Sequence, residues 1–241
     1  MIIIKVGATD STNLHLKRML AETALEDFTV LVTESQLKGR GQAGAQWISD
    51  PGKNLTFSVL KCFEALEVNR GFLISQAVSL ALFNAFSKLG IPDLSIKWPN
   101  DIMSGQKKIC GILIENTIKG NAITQAVIGI GININQDSFR GLPHAASFSQ
   151  ITGTEYDLDS VLDVVLNFLR DGLDRISGAD GKEMRETYDS CLFLKDRETV
   201  FKVDGNEVKG VIRGVSRDGK LILEIDGNQR SFGTKEIAFN L

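Results

Sequence analysis

The chain has 241 residues, 43% of them hydrophobic, and sets 27 Lys and Arg against 30 Asp and Glu for a formal net charge of −3 at pH 7. A chain this long buries a core without disulfide staples, and so even a charge balance argues against a general binder of nucleic acid or of anionic membrane. Cys62, Cys110 and Cys191 form no C-x-x-C pair and only His15 and His144 could join them, which fits a reducing compartment and not zinc chemistry. The opening MIIIKVGATD is far too short for a signal segment or a span, and no later stretch reaches about 18 apolar residues, so a soluble cytoplasmic protein is expected.

In chain order, IIIKV (2–6) and TVLVT (29–33) read as strands flanking a helix from about Thr12 to Leu25, with Asp10 or Ser11 as its N-cap. ESQLKGRGQAGAQWISDPGK then lacks apolar periodicity and reads as a long loop, of the kind that is usually functional. NLTFSVLKCF alternates like a strand, and FLISQAVSLALFNAFSKLG is apolar nearly all round, like a buried helix. SIKW ends a further strand, PNDIMSGQK reads as turn, and KICGILIEN with ITQAVIGIGINI forms a hairpin about Lys119-Gly120-Asn121. Leu158, Leu162, Val165, Leu169, Leu173 and Ile176 make one stripe of an amphipathic helix beginning at Asp157. Beyond Leu194, Asp204-Gly205, Asp218-Gly219 and Asp226-Gly227 punctuate short alternating runs, the pattern of a small antiparallel barrel. The expectation is therefore α+β: a mixed sheet packed by helices over residues 1–193, and a small β-barrel over 194–241.

Three segments carry candidate chemistry. KGRGQAGAQW puts Gly39, Gly41 and Gly44 in a G-x-G-x-x-G spacing, but Pro51 and Gly52 block the helix that a dinucleotide site needs. No H-R-D, D-F-G or G-K-[ST] sequence supports a kinase or Walker loop either. What remains is bare backbone that lets N–H groups approach an anion, beside the forked guanidinium of Arg40; a plain flexible surface loop stays open. In IKWPNDIMSGQKKICGILIEN, Asn100 and Asp101 sit on a turn at the sheet's end, and Lys107 and Lys108 stand at a strand mouth with Gly111 close by, where solvated charges are the alternative to an anion site. In GIGININ, Asn133 and Asn135 either meet a ligand or simply end a strand.

Taken together and in order, TDSTN (9–13), ESQLKGRGQAGAQWISDPGKNLTFS (34–58), KWPNDI (97–102), KKICGILIE (107–115) and GIGININ (129–135) resemble the biotin protein ligases, relatives of the lipoate ligases. The resemblance covers most of residues 1–150 and implies a class II synthetase-like catalytic domain followed by an SH3-like barrel. It implies an enzyme that activates biotin with ATP and Mg²⁺ as biotinyl-5'-AMP, releasing pyrophosphate, and passes biotin to a lysine of a biotin carboxyl carrier protein or of a carboxylase's carrier domain. Since the ligand's own carboxylate is the nucleophile, the lack of a catalytic Ser, Cys or His is no objection.

Carried over residue by residue, the resemblance implies that Ser11, Thr12, Asn13 and Gln36 meet biotin's ureido ring. Arg40 would contact the carboxylate and the α-phosphate, with Gly39 and Gly41 offering backbone amides and Gln42 and Gly111 also lining the biotin site. Lys108 matches the family's essential lysine. Lys97, Asn100 and Asn133 match nucleotide and phosphate contacts, Trp47 an aromatic near adenine, and Asp101 a group that orients the attacking lysine or holds Mg²⁺. The sequence departs from GRGRxGRxW, having Gln42, Ala43 and Ala45, so Arg40 is the only arginine of the loop. That puts retention of the adenylate in question, with Lys38 or Lys53 as compensating cations. TDSTN begins at residue 9, which leads us to expect no helix-turn-helix reader and no DNA partner. No membrane partner is expected, and a homodimer through the central sheet is a partner arrangement that the family often uses. A lipoate or octanoate ligase and a regulator that binds biotin without catalysis are the alternatives; KWPND and the GRG loop favour biotin, and the presence of Arg40 and Lys108 favours catalysis.

Overall fold

The computed structural model describes residues 1–177 and 181–240. β1 (Ile2–Thr9) and β2 (Thr29–Gln36) pair in parallel, which requires a crossover, and α1 (Thr12–Glu22) supplies it with Ser11 as its N-cap residue. α1 stops short of the expected Leu25. The chain there turns so that Phe28 N–H reaches the Leu60 carbonyl and Asp27 reaches Lys61. β3 (Leu55–Glu67) and α2 (Phe72–Lys88) follow, then β4 (Leu94–Lys97), β5 (Asp101–Ser104), β6 (Lys107–Lys119) and β7 (Ala122–Ile132). β6 and β7 form the expected hairpin, turning at Gly120 with φ +60°. The seven strands make one mixed sheet in the order β1-β2-β3-β7-β6-β5-β4, antiparallel apart from β1 and β2.

β5 lies where a turn is expected. Its four residues, DIMS, are too few to show a period, and they are extended because β4 and β6 pair with them on both sides. Two helices also lie outside the sequence expectation. α3 (Phe148–Thr152) is a single turn held by a capping box between Ser147 and Gln150. α5 (Lys182–Ser190) has only Tyr188 buried and so offers no apolar stripe to read. α4 (Leu158–Asp174) matches its stripe, and Asp157 caps it by accepting from the Ser160 N–H.

Strand alternation sorts the two faces of the sheet. On one face Val30, Val32, Phe57, Val59, Ile112, Ile128, Ile130 and Ile132 meet Ile74, Val78, Leu82 and Phe86 of α2 and Val165 and Leu169 of α4. Each such side chain, fully buried, contributes about 1.5–3 kcal/mol. On the other face α1 covers only a small cluster of Leu16, Leu31, Leu60 and Val127. Beyond that cluster this face presents Thr56, Ser58, Gly111, Gly129 and Gly131, residues too small to fill the space above them.

β8 (Glu198–Val203), β9 (Asn206–Val215), β10 (Leu221–Ile225), β11 (Asn228–Phe232) and β12 (Ile237–Phe239) form a five-stranded antiparallel sheet in the order β11-β10-β9-β8-β12. Asp204-Gly205 and Asp226-Gly227 both have positive φ at each residue, as tight hairpin turns require. Asp218-Gly219 lies in a wider turn closed by Ser216 N–H on the Lys220 carbonyl. The interior of this sheet, including Phe201, Ile212 and Leu223, is continuous with the main core.

Candidate active site

The small residues of the open face floor a cleft of about 190 Å³. At one end the N-terminus of α1 brings Ser11, Thr12 and Asn13 onto the sheet, all nearly inaccessible to solvent. Their polar groups form a network: Ser58 Oγ lies 2.6 Å from Asn13 Oδ1 and 2.7 Å from Thr12 Oγ1, and the Thr12 N–H donates to Gln36 Oε1 at 2.8 Å. Asn13 Nδ2 donates to Glu115 Oε2 at 2.8 Å and to the Leu113 carbonyl at 3.2 Å. These bonds fix the Asn13 amide, and Gly129 makes room for it, since a Cβ there would stand 2.5 Å from Asn13 Oδ1. Nothing in the local sequence marks Ser58 or Glu115 as part of this network. Glu115 closes a motif that was visible, but its partners Lys17 (2.7 Å) and Arg40 (3.7 Å) come from distant segments. Burial alone would raise the Glu115 carboxyl, yet the hydrogen bonds from Lys17 and Asn13 outweigh it and hold the group below its ordinary value.

The glycine segment is a small closed hairpin. Arg40 bridges Gln46, the Trp47 N–H donates to the Gly39 carbonyl, and the Gly41 N–H donates to the Ala45 carbonyl at 2.7 Å. The turn is made by Ala43 (φ 53°) and Gly44 (φ 86°). Two expectations change here. The Gly41 amide is committed within the hairpin and does not stand ready for an anion. Gly39 is buried behind the hairpin, off the cleft wall, where a Cβ would collide with the Trp47 carbonyl and stand 2.9 Å from Gln36 Nε2. Arg40, Gly41 and Gln42 do line the cleft, and neither Lys38 nor Lys53 is among the described residues that line it.

Trp47 separates this cleft from a second one of about 380 Å³, bounded by Phe139, Leu142, Pro143, His144, Lys97, Met103 and Asn133. Its ring packs on Gly131 and Gly111, and its Nε1–H is buried with no acceptor among the described residues. Lys108 and Asp101 line both clefts. Lys108 Nζ lies 2.7 Å from Asp101 Oδ1 and 5.8 Å from the centre of the Trp47 ring. The backbone of Lys108 is pinned on both sides, its N–H donating to the His144 carbonyl and its carbonyl accepting from the Ala146 N–H.

The remaining expected residues divide between the clefts. Asn100 lines the first, with Nδ2 donating to the Ile112 carbonyl at 2.9 Å. Asn133 lines the second, with Nδ2 on the Ala146 carbonyl at 3.1 Å, so both side chains also hold the frame. Gly111 lines the first cleft and Lys97 the second; burial lowers the pKa of the Lys97 ammonium. Cys110, one residue from the floor, is fully buried and its thiol is pushed up by that burial, so it offers no thiolate nucleophile. Among the described residues no three His, Cys, Asp or Glu side chains cluster as metal ligands, and no helix is long and apolar enough to cross a membrane. The arrangement suits two anionic groups brought together at Lys108, one from each cleft, with no nucleophile supplied by the protein.

Residues 6–133 match the model of the biotin/lipoate A/B protein ligase family. The chain is 28% identical over 225 residues to the bifunctional ligase/repressor BirA of Escherichia coli, covering 90% of this chain and 68% of that protein. It is 27% identical over 225 residues to the biotin--[acetyl-CoA-carboxylase] ligase of Mycobacterium tuberculosis, covering 92% and 83%. Among solved structures, the biotin protein ligase from Aquifex aeolicus in complex with biotin and ATP superposes with a TM-score of 0.81 at 26% identity, over 98% of this chain and 97% of that one.

Proposed function

The chain belongs to the biotin/lipoate A/B protein ligase family, and from that membership we propose that it is an ATP-dependent biotin protein ligase acting in the cytoplasm. It joins biotin to AMP with release of pyrophosphate, then gives the biotinyl group to a lysine of a biotin carboxyl carrier protein or carrier domain. The observation that carries this reading is that Lys108 and Asp101 are common to both clefts. A reaction between a carboxylate and an α-phosphate needs one cation where two anions meet, and Lys108 is held at that junction.

In the first step a biotin carboxylate oxygen attacks the α-phosphorus, the bond to the bridging oxygen breaks, and pyrophosphate leaves. Arg40 and Lys108 offset the repulsion between the two anions and stabilise charge that grows on the phosphoryl oxygens. Ser11, Thr12, Asn13 and Gln36 hold the ureido ring, whose N–H and carbonyl groups need partners once buried; the Glu115–Asn13–Ser58 chain keeps those side chains oriented. The second cleft takes the nucleotide, with Lys97, Asn133 and Trp47 around it, while Asn100 faces the first cleft beside Asp101 and Lys108, where the α-phosphate would meet the carboxylate. Asp101 is the carboxylate that would meet a Mg²⁺ ion bound with ATP, and such an ion would offset polyphosphate charge while keeping most of its shell as water and phosphate. In the second step the neutral amine of the acceptor lysine attacks the acyl carbon, the bond from that carbon to the phosphate oxygen breaks so that AMP leaves, and the nitrogen gives up its proton to solvent; Asp101 is the group that orients the amine.

The frame divides as residues 1–193 for both half-reactions and 194–241 as an appended unit. The exposed edge strand β1, with Ile2 and Ile3 half-exposed, supports a homodimer through the sheet. The test is biotin-dependent release of pyrophosphate from Mg-ATP. The wild type should release it, and Lys108→Ala should lose about 10² to 10³ in rate. Binding of both ligands with no pyrophosphate from the wild type would make the protein a binding regulator instead.

A further inference from the structure

The C-terminal sheet touches the K-W-P segment at two points. Trp98 Nε1 donates to the Gly219 carbonyl at 2.9 Å, and Lys97 Nζ stands 5.0 Å from the centre of the Phe239 ring. Ile96 points into the core, so alternation sends Lys97 to the opposite face, into the wall of the second cleft. Phe239 is itself fixed: β12 pairs it with Phe201 of β8, and its ring packs against Phe201 at 5.4 Å and Phe193 at 6.4 Å.

A lysine is a point charge on a flexible four-carbon stem. Left alone, the Lys97 ammonium would be drawn to Asp101, the nearby carboxylate of the same cleft, and would compete with Lys108 for it. The negative face of an aromatic ring gives it another resting place at low desolvation cost. We propose that Phe239 is a positioning residue for the nucleotide half of the site: its ring holds the Lys97 ammonium in the second cleft and leaves Asp101 to Lys108. This rests on reading the second cleft as the nucleotide site.

The test uses the full chain as Phe239→Leu, Phe239→Tyr, Lys97→Met and the double variant Phe239→Leu with Lys97→Met, with ATP and biotin varied separately. Phe239→Leu keeps the apolar volume and removes the ring face, and should raise the KM for ATP about three- to thirtyfold while leaving that for biotin unchanged. Phe239→Tyr should restore it. Lys97→Met should raise the KM for ATP at least as far, and adding Phe239→Leu to it should cost nothing more, because the two residues act as a unit. Additive effects in the double variant, or an unchanged KM for ATP in Phe239→Leu beside a raised one in Lys97→Met, would overturn the proposal. So would a parallel fall of kcat, both KM values and Tm that Phe239→Tyr does not repair. If Lys97→Met leaves the KM for ATP unchanged, the nucleotide assignment of the cleft fails and takes this inference with it, whereas biotin-dependent pyrophosphate release is a separate reading and would stand.

Discussion

The Trp47 indole occupies the space above the bare backbone of Gly131: a Cβ at position 131 would stand 2.5 Å from Cζ2 and 2.8 Å from Nε1 of that ring. The wall between the two clefts therefore exists because one strand residue has no side chain. Gly131→Ala should push the ring out of its seat and lower the rate of adenylate formation by at least about tenfold, since a displacement of about 1 Å in such a site is costly. The chain has only two tryptophans, and Trp98 is buried and hydrogen-bonded, so a change in intrinsic fluorescence on the substitution reports Trp47. Unchanged emission and an unchanged rate would show that the wall is not needed.

Asp101 and Lys108 are 2.7 Å apart, and their roles should separate by half-reaction. Lys108→Ala should cut adenylate formation, as the test of function requires. Asp101→Asn should slow transfer from preformed biotinyl-5'-AMP to a carrier domain by about 10², and raise the Mg²⁺ concentration needed for half-maximal adenylation. Rapid-quench measurement of each step gives the split. If Asp101→Asn alters neither transfer nor the Mg²⁺ dependence, its two assigned roles fall.

Gln42 lines the first cleft at the place where the pattern GRGRxGRxW has its second arginine, and neither Lys38 nor Lys53 stands on that wall to replace it. Gln42→Arg adds a guanidinium able to fork onto the phosphate of the intermediate. Dissociation of biotinyl-5'-AMP should slow by about tenfold, a gain of roughly 1.4 kcal/mol. Equal off-rates for the two proteins would mean that the hairpin holds the adenylate by other contacts.

Glu115 gives a pH signature. Its folded-state pKa lies below the ordinary value, so its contribution to stability is fully present above the unfolded value, about 4.3, and is lost as pH falls through the folded value. Glu115→Gln should cost about 1–2 kcal/mol at pH 7, because Lys17 and Arg40 lose their partner. The difference from the wild type should shrink steadily below about pH 4. Urea titrations at several pH values check this, and a difference that is constant down to pH 3 would contradict it.

Much of this was legible in the sequence because it is local. The Ser11-Thr12-Asn13, K-G-R-G and K-W-P-N-D motifs carry their residue types in fixed order, and strand alternation in GIGININ already places glycines on one face and isoleucines on the other. The misses have physical reasons. β5 is too short to have a period and is extended by its neighbours. Ser58 and Glu115 act through Asn13 and Arg40, separated from them by 45 residues or more of chain. The committed amide of Gly41 depends on how the hairpin folds back on Ala45. Phe239 meets Lys97 only because a second sheet docks there, and nothing near either residue in the chain announces that contact.

The measurement that bears most directly on the central claim is the mass of a biotin carrier domain after incubation with the wild-type protein, Mg-ATP and an equimolar mixture of biotin and lipoate. One biotinyl group on a single lysine, absent without ATP and lost with Lys108→Ala, is the predicted result. Lipoylation in preference to biotinylation, or no modification while biotin and ATP both bind, would contradict the account.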